Sequence, residues 1–149
     1  MTDTVKFMRV EGNDLPLPGY ATAGAAGMDL RAFLPDGSLT LEPGEVVMIS
    51  TGLSVELPES TEMQIRPRSS MALKQQIIIP NSPATIDEDY RGIIYVGLYL
   101  LGGDPVVLNH GDRFAQAVIA PVLKPEVIEV RELTATERGS GGFGSTGKG

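Results

Sequence analysis

Four side chains able to do chemistry stand together in this chain: Asp87, Glu88, Asp89 and Tyr90, within Asn81-Ser-Pro-Ala-Thr-Ile-Asp-Glu-Asp-Tyr-Arg-Gly92. Apolar, β-branched runs flank them at residues 77–79 and 93–101. That pattern predicts two strands joined by a connection containing Asn, Ser and Pro. Three carboxylates and a ring on one hairpin tip do little for stability, so the tip is a candidate for acid–base chemistry on a small ligand. Asp87 and Tyr90 are three residues apart, and a regular strand would turn them to opposite faces. For both to line one ligand, the backbone between them must bulge or turn. Asp89, on the parity of Asp87, is expected to be a structural hydrogen-bond acceptor.

A second group could hold an anion. Arg66-Pro-Arg-Ser-Ser-Met-Ala-Leu-Lys74 places Arg68, Ser69 and Ser70 at the start of a helix candidate spanning residues 69–76, with Ser69 or Ser70 as N-cap. Free N–H groups, a guanidinium and a hydroxyl make a phosphate cradle; a capped helix with a surface arginine is an equally good reading of these residues alone. Asp29, between Met28 and Leu30, should face away from the core they occupy, and as a lone acid it reads as a solvated edge residue. Gln116 shares the parity of Phe114, which should pack inward, and a buried glutamine needs partners. His110, the only histidine, sits in an Asn-His-Gly turn and receives no role.

These groups need a scaffold, and strand signals dominate. Short β-rich runs at 5–10, 45–50, 53–57, 62–67, 93–101, 105–108, 113–122 and 126–130 are separated by Gly and Pro turns. Spacing of this kind predicts an all-β sandwich or barrel with one short helix. With 149 residues the chain fits one domain, residues 1–137, followed by a Gly-rich arm at 138–149. The arm carries Arg138, one aromatic (Phe143), Ser145 and Thr146, a composition suited to a lid that stacks on a ring and donates N–H groups to phosphates. Gly142-Phe-Gly-Ser-Thr-Gly-Lys148 imitates a P-loop, but Gly149 stands where that motif needs Ser or Thr, and no helix can follow.

A net charge of −7 argues against a nucleic-acid coat, though not against a small anion held by local arginines or a divalent cation. Zero cysteines exclude disulfides and thiolate metal sites. No run is apolar and long enough to span a membrane, and no secretion signal is visible, so the expectation is a cytoplasmic protein with no membrane partner.

Five segments in order, Ala26-Gly-Met-Asp-Leu-Arg-Ala32, Pro67-Arg-Ser-Ser-Met-Ala72, residues 81–92, Gly111-Asp-Arg-Phe-Ala-Gln116 and Arg138-Gly-Ser-Gly-Gly-Phe-Gly-Ser-Thr-Gly147, resemble the five motifs of the trimeric dUTP diphosphatases. They cover nearly the whole chain, and the last is the most specific. The resemblance implies a jelly-roll-like β subunit in a homotrimer, with three sites shared between subunits. It also implies Mg²⁺-dependent hydrolysis of dUTP to dUMP and diphosphate, which limits uracil incorporation into DNA and supplies dUMP. By the same resemblance, Asp87 orients and deprotonates the attacking water, Tyr90 lies against deoxyribose, and Asn81 and Ile86 belong to the uracil and sugar pocket. Arg68, Ser69, Ser70 and Gln116 match phosphate contacts, and Asp29 an acid near the metal, acting through water. Arg138, Ser145 and Thr146 would reach phosphates, with Phe143 stacked on uracil.

Some residues depart from the family pattern. Ala84 stands where Gly is frequent, a change that matters only if φ is positive there. Gln75-Gln76 replaces a usual His- or Asn-Gly pair, Ser70-Met71 the commoner Gly-Leu, and Leu100 a frequent Asn. The related dCTP deaminases require a catalytic Glu on the strand after the hairpin, whereas residues 93–101 contain no acid and Gly97 stands near that position. A non-catalytic binding module has no feature in its favour.

Overall fold

The computed structural model describes residues 4–144 and 147. Eleven strands and one helix follow in order: β1 (Lys6–Arg9), β2 (Met28–Arg31), β3 (Ser38–Leu41), β4 (Val46–Ser50), β5 (Leu53–Glu56), β6 (Thr61–Arg66), α1 (Ser69–Lys74), β7 (Ile77–Ile78), β8 (Ala84–Ile86), β9 (Tyr95–Leu100), β10 (Val106–Asn109) and β11 (Arg113–Pro121). They form a four-stranded sheet β2-β11-β6-β8, a three-stranded sheet β4-β9-β7 and two pairs, β1-β5 and β10-β3. All named strand pairs are antiparallel. The expected all-β architecture with one short helix is present. No helix among the described residues is long and apolar enough to cross a membrane.

Alternation builds the core. Leu30, Ile49, Ile65 and Leu98 are at most 1% exposed, while their strand neighbours face outward. Burying such side chains contributes about 1.5–3 kcal/mol each, and faces packed this way make strand register unforgiving. Met28 and Leu30 point inward and Asp29 outward, as their parity requires.

Four expectations change. The helix begins at Ser69 with Arg68 as N-cap, and no side chain caps it; the extended Pro67-Arg68 backbone sets the start instead of a serine hydroxyl. Residues 126–130 form no strand and are exposed, Val127 at 94%. Apolar alternation only becomes a strand when an edge is there to pair with it, and one copy of the chain offers residues 126–130 none. The connection at 81–92 is more than a hairpin loop. β7 and β9 do pair, Ile77 opposite Leu100, but the connection contributes β8 to the other sheet, beside β6. Lastly, Gln116 does not follow Phe114 inward. A β-bulge between Arg113 and Ala115 resets the parity, so Ala115 and Ala117 are buried and Gln116 turns outward, opposite Asp29.

Among the departures from the family pattern, Ala84 lies in β8 opposite Ile65 without positive φ, so the substitution is harmless. Gln76 is held at φ 57, the left-handed region that glycine tolerates best.

Candidate functional site

The backbone turns where Asp87 and Tyr90 required it to. β8 ends at Ile86, and the Tyr90 N–H donates to the Asp87 carbonyl at 3.1 Å. Arg91 Nη1 closes the turn from outside, donating to the carbonyls of Glu88 (2.7 Å) and Tyr90 (3.1 Å). The Tyr90 hydroxyl folds back to donate to the Ile93 carbonyl at 2.9 Å. Its ring lies so close over Gly92 that a Cβ there would collide with the hydroxyl and displace the ring; glycine serves the ring's placement, since its φ is ordinary.

Asp87, Tyr90, Ile86 and Thr85 line one cleft together with Met48 and Tyr95. Met48 and Tyr95 also border the adjoining cleft, which holds Asn81, Ala84 and Gly97. Asn81, Ile86, Asp87 and Tyr90 are therefore neighbours around one continuous, half-apolar surface. The Asp87 carboxylate is exposed and has no hydrogen-bond or ion-pair partner among the described residues, which leaves it open to a water or ligand. Asp89 likewise makes no side-chain hydrogen bond. The acceptor role expected of it falls to Glu88, which takes the Ser60 N–H at 2.8 Å.

The second group also assembles. Asp29, Arg68, Ser69, Ser70 and Gln116 line a single open cleft. Arg68 Nε reaches Asp29 Oδ1 at 2.9 Å, Arg113 Nη1 reaches Asp29 Oδ2 at 3.2 Å, and Arg68 Nη1 donates to the Arg113 carbonyl at 3.1 Å. One carboxylate thus fixes two guanidiniums while leaving them a net positive charge, a geometry suited to an oxyanion. Gln116 Nε2 donates to the Pro67 carbonyl at 2.9 Å. Its Oε1 packs against Gly27, where an added Cβ would come within 2.5 Å. Arg113, Met48 and Tyr95 went unnoticed in the sequence. Only the strand register reveals that Arg113 shares Asp29, 84 residues away.

The two clefts share no residue. Asp29 is on β2 and the Asp87 turn leaves β8, at opposite edges of the four-stranded sheet. Three strand spacings, about 14 Å, separate those edges. Arg138 Nε donates to the nearby Gly141 carbonyl, and Phe143, at φ 52, is fully exposed. Neither lines the two clefts, and Ser145 and Thr146 lie outside the described residues. Among the described residues no three acidic or histidine side chains group to hold a metal.

One half-apolar cleft beside an exposed carboxylate and another lined by an arginine, two serines and a glutamine stand on one all-β scaffold. Residues 13–147 match the family described as dUTPase. The deoxyuridine 5'-triphosphate nucleotidohydrolase of Caulobacter vibrioides is 52% identical over 145 residues, covering 96% of this chain and 94% of the relative. That of Desulfotalea psychrophila is 51% identical, covering 99% of each. Among solved structures, a glycine-to-serine mutant of a Staphylococcus bacteriophage 80alpha dUTPase with dUpNHpp superposes with a TM-score of 0.82 at 23% identity, covering 97% of this chain and 99% of that one. An aspartate-to-asparagine mutant of a dUTPase from phage phi11 of S. aureus, with a structural Mg(II) ion, gives 0.77 at 22% identity, covering 89% and 99%. The chain belongs to the dUTPase family.

Proposed function

We propose that this chain hydrolyses dUTP to dUMP and diphosphate at sites completed by three copies of itself, limiting uracil incorporation into DNA and supplying dUMP. The observation that carries the proposal is the turn that brings Asp87 and Tyr90, three residues apart, into one cleft. Asp87, open to solvent, orients a water and takes its proton as the oxygen attacks the α-phosphorus; the bond to the bridging oxygen breaks and diphosphate leaves. The Tyr90 ring, pinned by Ile93 and Gly92, fills the space a ribose 2′-hydroxyl would need. Asn81 and Ile86 border the base pocket, where buried polar groups left unpaired by cytosine would reject it. Arg68, Ser69, Ser70 and Gln116 hold phosphate oxygens.

The distance between the clefts supports a site shared between copies. One nucleotide cannot touch both edges of the same sheet at its α-phosphate, so the phosphate cleft that serves Asp87 belongs to a second copy. A third would supply the arm at 138–149, with Arg138, Ser145 and Thr146 on phosphates and Phe143 on uracil. Body and arm are in this reading separate units, residues 1–137 and 138–149, in a cytoplasmic enzyme.

Mg²⁺ suits this donor set when the triphosphate supplies most of its ligands, because the protein offers one nearby carboxylate, Asp29, already shared with two arginines. Asp29 would hold the ion through water, and the ion would neutralise charge on the phosphates. The test is diphosphate release with Mg²⁺ from dUTP, dCTP, dTTP and UTP. Release from dUTP far above the others is expected; release no higher than a blank would favour a binding module, and ammonia from dCTP a deaminase.

A further inference from the structure

The turn carrying Asp87 is anchored from outside by the residue next to it. Glu88 has no part in the proposed chemistry, yet its Oε2 accepts the Ser60 N–H at 2.8 Å and lies 3.5 Å from Lys124 Nζ. Ser60 stands between β5 and β6 at φ 59, a conformation that a non-glycine residue holds only when its surroundings fix it. The Ser60 carbonyl is also engaged, accepting the Val122 N–H at 2.8 Å just past the end of β11. One residue thus joins the catalytic turn, through its N–H, to the root of the C-terminal segment, through its C=O. The Lys124 pair is weak because Lys124 is 70% exposed. The bond from a neutral donor to a charged acceptor is the stronger link.

We infer that Glu88 is a positioning residue that fixes the Asp87–Tyr90 turn against Ser60 and so couples it to the segment that follows β11. The turn's own bonds, from Tyr90 N–H and Arg91, set its shape; Glu88 sets where it sits on the sheet. The Asp87 side chain has no partner among the described residues, its backbone being held by the Tyr90 N–H and by β8 before it, and a displacement of about 1 Å at a reacting group can cost a hundredfold in rate.

The kinetic part of the test rests on the dUTP-hydrolysis reading, and the structural part does not. Glu88→Ala should lower kcat about tenfold or more while KM stays within about twofold. Glu88→Gln, whose amide oxygen can still accept the Ser60 N–H, should keep most of the rate. Glu62 lines a further cleft together with Asp87, Glu88 and Lys124, so Glu62→Ala removes a like charge from beside the turn without touching the Ser60 bond and should leave kcat unchanged. In the absence of nucleotide, amide hydrogen exchange at Ser60 and Tyr90 should speed up in Glu88→Ala and stay as in the parent in Glu62→Ala. A kcat within twofold of the parent in Glu88→Ala overturns the inference, as does an equal loss in Glu62→Ala, which would make the effect one of charge. Unchanged exchange at Ser60 and Tyr90 overturns it regardless of turnover. If the parent fails to hydrolyse dUTP, the functional reading falls and the exchange measurement alone decides the clamp.

Discussion

The cleft around Asp29 is held together by charge, whereas the one around Asp87 and Tyr90 is held together by backbone. In the first, a single carboxylate sets two arginines, and a glutamine rests on Gly27 and the Pro67 carbonyl. In the second, a turn hydrogen bond, a folded-back hydroxyl and Gly92 place a ring and leave one acid free. The difference matches what each is proposed to recognise. Phosphate oxygens are alike and strongly charged, so prepositioned cations suffice. Base and sugar differ from their competitors by single groups, which only shape and fixed polar atoms can tell apart.

The comparison can be broken by substitution, most severely at Asp87. Asp87→Asn should lower turnover by roughly 10²–10⁴-fold while retaining dUTP binding by calorimetry; a near-normal rate would remove Asp87 from its role. Arg68→Ala deletes the proposed phosphate ligand and loosens Asp29, so kcat/KM should fall roughly a hundredfold, with poorer binding this time. Truncation after Glu137 removes neither cleft. The product should sediment as a folded trimer with poor activity, and full activity would dismiss the arm as a lid. Tyr90→Ala should narrow the preference for dUTP over UTP, about tenfold in the ratio of kcat/KM, without unfolding the protein. Gln76→Gly lies in neither cleft and tests backbone strain alone. Relief of φ 57 should add up to about 1 kcal/mol of stability in denaturant melts, with kinetics unchanged.

What could be read beforehand differed between the two regions for the same reason. The Asp87 turn is local, so the three-residue spacing already demanded a break in the strand, and the break is there. The phosphate group comes from three distant segments. Its members could be named from motif resemblance, but the Asp29–Arg113 pair depends on register between β2 and β11, and a bulge decides where Gln116 points. Neither a bulge nor a register is written in local alternation. Residues 126–130 failed for a related reason: their pattern was strand-like, but pairing belongs to an edge elsewhere. The helix cap went to Arg68 because preference for serine at an N-cap is only statistical.

The distance across the four-stranded sheet has a genetic consequence. If the carboxylate of one copy works with the arginine of another, two dead proteins can make a live one. Asp87→Asn and Arg68→Ala chains, each crippled alone, should complement when unfolded together, mixed equally and refolded. Random assembly would leave about a quarter of sites with both groups intact. A chain that kept its whole site to itself would recover nothing.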